Sequence, residues 1–319
     1  MLDFIDKHAP DLLLLQETHL RPENSFSIPN YICYRNNRTN SARGWGGTAI
    51  LIKRNISHFH VPYPTLLTGV EATLVELTRT DQEPFLVVSI YVPPNPNYRN
   101  LGADLDALFQ IFNTAMVAGD YNAKQTSWSC VSSDPRGNYL LKYITNIKLD
   151  LTAPPTPTHY GIDSASTLDY ALIKNLNWPC TADSLAELSS DHNPIRFYFP
   201  RTPKFVIPLP QLNTIWSIFT KILANPDNFD LPIANSTQEI DSQVSNLTIE
   251  ILNAHTSASR PFYHSEQPYV QGELKELIKD RNKAKNTWQQ TRHPQHKTEL
   301  NRLQNIFKRK IYHYRQQAW

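Results

Sequence analysis

The apolar rhythm of this 319-residue chain changes part-way along its length. Up to about Phe199, short apolar runs alternate with turn-forming residues. The runs "DLLLL" (11–15), "GTAILIK" (47–53), "ATLVEL" (72–77), "FLVVSIYV" (85–92), "AMVAGD" (115–120), "TLDYALI" (167–173) and "PIRFYF" (194–199) are rich in Val, Ile, Tyr and Phe. Gly, Pro, Asn or Asp bound them, which predicts strands. Two stretches, "LDALFQIF" (105–112) and "RGNYLLKYITNI" (136–147), space their apolar residues as a helix does. Strands outnumber helices, so residues 1–199 read as a layered α/β or α+β domain. Pro200, Pro203, Pro208 and Pro210 predict a linker over 200–210, because closely spaced prolines suit neither helix nor central strand. Beyond it, residues 211–319 read as helical. Ile240, Val244, Leu247 and Ile251 share one face, and Leu300, Leu303, Phe307 and Ile311 another.

Composition narrows the partners. The formal net charge of +2 selects none by itself, and 40% hydrophobic residues suffice for a real core. Cys33, Cys130 and Cys180 are far apart and odd in number, against both a disulfide framework and a zinc site and in keeping with a reducing compartment. The run Leu12–Leu15 is too short to span a membrane and lacks the flanks of a signal peptide, so no membrane partner is expected. Charge is concentrated at one end. Residues 272–319 hold twelve Lys and Arg against four acids, Glu273, Glu276, Asp280 and Glu299. A tail of that sign suits nucleic acid.

The stretch "VAGDYNAKQTSW" (117–128) raises the chemical question, because an apolar strand ends in Asp120 and Asn122. Four other strand ends repeat the pattern. "LLLLQETH" ends in Glu17, "SIYVPPN" carries Tyr91, "STLDYALI" carries Asp169, and "LSSDHNPIRF" carries Asp191 and His192. A turn, a surface acid or a strand tyrosine accounts for any one of these alone. Polar groups gathered at strand ends are also where open sheets keep their sites. Attack of water on a phosphodiester would use the whole set. Mg2+ favours one or two carboxylates with water and phosphate filling the rest, a role open to Glu17 with Asp191. His192 is poised to take a proton near neutral pH, and Asp169 would hold its tautomer. Asp120 would hold or deprotonate the water. Asn122 and Tyr91 would donate to phosphate oxygens as charge builds.

The ordered set "QET", "YVPPN", "GDYNA", "LDYAL" and "SDHNPI" resembles the endonuclease/exonuclease/phosphatase superfamily. The resemblance implies a four-layered α/β sandwich of the DNase and AP-endonuclease type, here followed by a helical basic extension. "GDYNAKQTSW", "PRGNYLL" and "TPTHYG" are similar to the endonuclease domains of jockey-like non-LTR retrotransposons. That likeness implies a Mg2+- or Mn2+-dependent endonuclease nicking DNA for insertion, with a nuclear location. By the same likeness Glu17 binds metal, Tyr91 contacts phosphate, Asp169 orients His192, and Thr158 lies near the DNA. Arg35, Asn36 and Arg38, in a polar segment before "GWGGTAILI", suit backbone contact with DNA. The basic helices would meet DNA or the element's RNA. The family also places a strand bearing an Asn ahead of the helix that "LDFIDKHAP" resembles, and the sequence starts inside that helix. This leads to an expectation of lowered stability and weak nicking. The competing readings are a relic that only binds nucleic acid through its tail and an AP-type repair nuclease.

Overall fold

The structure, a computed structural model, describes all residues except 38–45, 63, 65–66, 79–82, 95–98, 162–163, 201–211, 225–232, 262–269 and 318–319. The expected linker and Arg38 therefore lie largely or wholly outside the described residues.

A six-stranded sheet forms the centre. Its order is β4 (His58–Val61), β5 (Glu71–Leu77), β6 (Phe85–Tyr91), β7 (Thr114–Asp120), β11 (Asp169–Lys174) and β8 (Asp150–Thr152). Strands β6 and β7 are parallel, and α2 (Leu101–Phe109) lies in the crossover between them. Both are buried at every position, as apolar runs covered on two sides should be. On one face Leu86, Val88, Ile90, Val117 and Leu172 pack with Leu105 and Leu108 of α2 and Leu140 and Ile144 of α3 (Pro135–Ile147). On the other face Val75, Val87, Met116, Ala171 and Ile173 meet Leu12, Leu14, Ile32, Ile50 and Ile52. Those residues belong to a second sheet, ordered β1 (Leu12–Gln16), β3 (Thr48–Lys53), β2 (Tyr31–Asn36). Leu13, Leu15 and Leu51 point the opposite way and pack on Ile5 of α1 (Leu2–His8). The layers run helix, sheet, sheet, helix. This explains the unbroken "LLLL": successive strand residues face opposite layers, and here both layers are apolar.

Three short pairs complete the strands: β9 (His159–Tyr160) with β10 (Ala165–Ser166), β12 (Thr181–Ser184) with β13 (Ile195–Tyr198), and β14 (Leu212–Thr214) with β15 (Ser259–Pro261).

The C-terminal part divides differently from a single region 211–319. Residues Met1–Ile207 and Gln267–Trp319 form one compact unit, and Pro208–Glu266 another. The reason is visible in α6 (Gly272–Thr291) and α7 (Pro294–Gln317). Ile278, Trp288, Leu300 and Leu303 are buried, and so are the cationic Arg281 and Lys285. The second unit contains β14, β15, α4 (Trp216–Leu223) and α5 (Thr237–Ala258). Helix α5 forms as its periodicity predicts, but within that unit Ile240, Val244 and Ile251 remain exposed.

Candidate active site

Strand register assembles the site. Across the central sheet Glu71 pairs with Tyr91, Tyr91 with Asp120, and Asp120 with Asp169. One row of four strands thus carries four polar side chains, and β6 and β7 both end at it. The close fit needs Gly119. A Cβ there would sit 1.9 Å from the Ile90 carbonyl oxygen of the neighbouring strand, so no larger residue allows this pairing. After Asp120 the chain turns through Asn122 at φ 46°, a left-handed conformation that Asn tolerates better than most residues. The Asn122 N–H donates to Asp120 Oδ1 at 2.9 Å, and its side-chain amide donates to Asp120 Oδ2 at 3.0 Å and to the Val92 carbonyl at 3.1 Å. The expected phosphate donor therefore spends its donors holding Asp120 in place.

Asp120 and Asp169 are both nearly buried and face each other directly. Burial, then the charge of Asp169, push the Asp120 carboxyl up to about 7, while the His192 imidazolium and the Asn122 N–H pull against them. His192 bonds through Nδ1 to Asp169 Oδ2 at 2.8 Å, which leaves Nε2 as the nitrogen that would meet water or phosphate. Burial lowers the His192 imidazolium, but the hydrogen bond and charge of Asp169, then Asp120 and Asp191, outweigh it and hold the group at about 9.

Thr158 is placed differently from its expected position beside DNA. It is fully buried. Its hydroxyl donates to Asp169 Oδ2 at 2.6 Å and accepts from the N–H groups of Leu168 at 3.0 Å and Asp169 at 3.3 Å. It braces the acid that braces the histidine. The main chain beside it does the same for the other loop, since the Asn193 N–H donates to the Thr158 carbonyl at 2.6 Å and His159 forms a bridge with His192.

Glu17 lies at the Tyr91 end of the row. The Tyr91 hydroxyl donates to its Oε1, and burial, then that bond, raise the phenol, so the hydroxyl keeps its proton. Glu17 itself sits at φ 49°, away from ordinary strand geometry. The Thr18 and His19 N–H groups donate to the carbonyls of Gly47 and Gly46, and the Gly47 N–H donates to Glu71 Oε2 at 2.5 Å. Both glycines have φ near +80°, and a Cβ on Gly46 would press on the Glu71 carboxylate at 2.7 Å. Glu71 thus supports the turn that presents Glu17. Sequence reasoning missed it, although an acid at the start of a strand was the signal that flagged Asp169.

The other end of the row holds Asp191, exposed, with its Oδ2 3.6 Å from His159 Nε2. His159 was also missed, and its ring lies 4.8 Å from that of His192. Two groups have the spacing to hold a cation: Asp120, Asp169 and His192, and His159, Asp191 and His192. Among the described residues neither includes Glu17, so the two acids expected to share a metal stand at opposite ends of the row. Arg35 and Asn36 are drawn inward. The Arg35 guanidinium donates to the carbonyls of Asn24 at 2.7 Å and Pro22 at 3.1 Å, and the Asn36 amide to that of Ala72 at 3.2 Å. Both fasten their own strand to the body of the domain.

Residues 85–196, which span Tyr91 to His192, match a family model described as endonuclease-reverse transcriptase. Over 316 residues the chain is 28% identical to a probable RNA-directed DNA polymerase from transposon X-element of Drosophila melanogaster, covering 94% of this chain and 34% of that protein. Over residues 85–196 the chain is similar to endonuclease-reverse transcriptase proteins. Another relative, the RNA-directed DNA polymerase from mobile element jockey of Drosophila funebris, is 28% identical over 197 residues, covering 60% of this chain and 21% of its own length. The chain spans about a third or less of the curated relatives it matches. A solved endonuclease domain of TRAS1, a telomere-specific non-LTR retrotransposon, covers 62% of this chain and 90% of its own at 20% identity and TM-score 0.49.

Proposed function

We propose that this chain is a metal-dependent endonuclease of the endonuclease/exonuclease/phosphatase type that hydrolyses one phosphodiester of DNA, nicking a target for insertion of the element. The row Tyr91, Asp120, Asp169 with His192 fastened to Asp169 is the observation that carries this reading. It is a set of acids and one histidine that a fold gains nothing by burying together.

The pKa order supports a division of labour other than the one expected from residue type. Asp120, near 7, is the group able to exchange a proton at neutral pH and so to take one from the attacking water. His192, near 9, stays an imidazolium and would meet the phosphate as a cation and proton donor through Nε2. Asp169 and Thr158 fix its orientation. The donor chemistry fits a hard divalent cation, because Glu17 and Asp191 are exposed carboxylates beside a crowded pair of buried acids. Mg2+ or Mn2+ bound there would draw charge from the phosphate. Glu17, steadied by Tyr91 and by the turn that Glu71 supports, is the residue that would hold it. The exposed cations of α6 and α7, such as Lys279, Lys283, Lys308 and Arg309, would meet the backbone of DNA or element RNA. A chain acting on chromosomal targets would work in the nucleus.

The test is nicking of supercoiled plasmid. Cleavage should require Mg2+ or Mn2+ and stop with EDTA. Asp120→Ala and His192→Ala should each lower the rate by about a hundredfold or more. Cleavage indifferent to EDTA, or folded variants with wild-type rates, would overturn the reading.

A further inference from the structure

The basic C-terminal segment contains a face that is not basic surface at all. Arg281, Lys285 and Gln289 recur at helical spacing along α6, so they project from one side, and Arg292 caps the helix C-terminus at φ 55°. All four reach the loops that carry the site. Lys285 is 3% exposed, and its Nζ donates to the carbonyls of Glu187 at 2.8 Å, Ser190 at 2.9 Å and Leu188 at 3.4 Å. An ammonium has three donors, and three main-chain carbonyls just ahead of Asp191 satisfy them. Leu188 within this loop is at φ 58°, a strained conformation for a branched side chain that needs outside support. Arg281 donates to Ser189 Oγ at 2.9 Å. Gln289 and Asn193 exchange amide bonds, Gln289 Nε2 to Asn193 Oδ1 at 2.9 Å and Asn193 Nδ2 to Gln289 Oε1 at 3.1 Å. Arg292 donates to the Gly161 carbonyl at 2.7 Å, and its guanidinium lies over Trp288, 4.5 Å from the ring centre. One helix face therefore holds the segment 187–193, which bears Asp191 and His192. The C-cap residue Arg292 holds the loop just after Thr158 and His159.

We propose that α6 is part of the catalytic apparatus, with Lys285 and Gln289 as positioning residues that set the place of His192 against Asp169. The inference rests on the endonuclease reading above. A helix recruited for stability alone would present apolar side chains. Burying a lysine without a carboxylate is costly unless every donor is met, and here the donors are spent on the backbone that carries His192. The loop is gripped from the other side as well, where Glu187 accepts from Lys7 at 2.5 Å and His8 at 3.1 Å. The site-bearing loop is thus clamped between α1 and α6. A helix that reads in the sequence as part of a basic extension beyond the endonuclease instead completes it.

The experiment compares the full chain with Lys285→Met and Gln289→Met, in single-site kinetics on a labelled duplex and in amide hydrogen exchange. Gln289 is only half-buried, so its variant keeps the test open where Lys285→Met fails to fold. We expect kcat to fall about tenfold or more with KM little changed, since small displacements of a catalytic group cost this much. Exchange of the Asn193 amide should quicken while Val117 and Leu172 in the central sheet hold their protection. Unchanged kcat in both variants overturns the proposal. So does a loss of protection spread equally over the central sheet, which would make α6 general support. A wild-type chain that fails to nick with Mg2+ overturns the nuclease reading instead. The exchange of Asn193 in Gln289→Met then still decides whether α6 holds the loop, and wild-type protection there sinks it.

Discussion

Replacing Thr158 with valine isolates the brace behind the histidine. Valine keeps the shape, so no cavity opens in a site that is fully buried. What goes is one hydroxyl with three partners: Asp169 Oδ2, to which it donates at 2.6 Å, and the N–H groups of Leu168 and Asp169, from which it accepts at 3.0 and 3.3 Å. A hydrogen bond to a charged group is worth about 1.5–3 kcal/mol, and a buried N–H left without a partner costs about 1–3 kcal/mol. The two N–H groups share one oxygen, so a single such penalty applies. Part of the first term returns because His192 still donates to the same carboxylate oxygen. The expected loss is about 3 kcal/mol, a large share of the roughly 5–15 kcal/mol a domain has. Urea unfolding followed by tryptophan fluorescence measures it. Thr158→Ser keeps the hydroxyl and gives up one methyl, so it should lose only about 1 kcal/mol. In plasmid nicking the valine variant should slow by about a hundredfold, because an unbraced Asp169 lets the imidazole shift from its working position. Its affinity for DNA should not change. A valine variant within about 0.5 kcal/mol of wild type would refute the brace. So would one that lost DNA affinity while keeping its stability and rate, since that is the behaviour of a residue at the DNA surface.

The same geometry yields two further expected outcomes. Gly119→Ala puts a methyl 1.9 Å from the Ile90 carbonyl, so it should destabilise by more than about 4 kcal/mol or abolish soluble expression; an unchanged melting temperature would show that β6 and β7 can part without cost. His192 titrates near 9 in the fold, above the ordinary histidine value of about 6.5. The folded state therefore holds its proton more tightly. The stability this contributes is complete below about pH 6.5 and is lost as pH rises through 9, up to about 3 kcal/mol. Urea stability of the metal-free chain should fall over that window, and His192→Gln should flatten the fall; parallel pH slopes for the two proteins would refute the assignment.

The strands of the sandwich were legible because their apolar runs are long and sharply bounded. The polar ends of those runs were legible for the same reason, and Tyr91, Asp120, Asp169 and His192 do meet. What could not be read was register. Glu71 enters the row only because it pairs with Tyr91, and a slip of one residue would turn it to the opposite face. Thr158 illustrates a different limit. A hydroxyl between prolines in "PPTPTHYG" looks solvent-exposed, and it is buried because the chain near residue 193 folds back over it. Arg281 and Lys285 were counted as tail charge, since nothing in a lysine's identity says whether it meets water or three carbonyls. Arg35 was read as a DNA contact on similar grounds, and two of its donors meet the carbonyls of Asn24 and Pro22.

The contacts that escaped sequence reasoning share a cause, which is that each spans a long stretch of chain. Lys285 grips a loop 95 residues earlier, Gln289 an amide 96 residues earlier, and Tyr91 an acid 74 residues earlier. Local pattern predicts an element because its signal lies within one turn or one strand, whereas these side chains acquire a role only after the layers have closed. The site is also where local rules are broken. Two acids pair across neighbouring strands at the end of an otherwise apolar sheet, and Glu17 and Asn122 adopt left-handed backbone beside them. Charges opposed in this way disfavour the fold, and His192, Thr158, Asn122 and the surface of α6 together offset that cost. Side chains that oppose folding and are then held from several sides mark a place kept for chemistry. In this chain the restraint comes from residues near its C-terminal end as much as from the sheet that bears the acids.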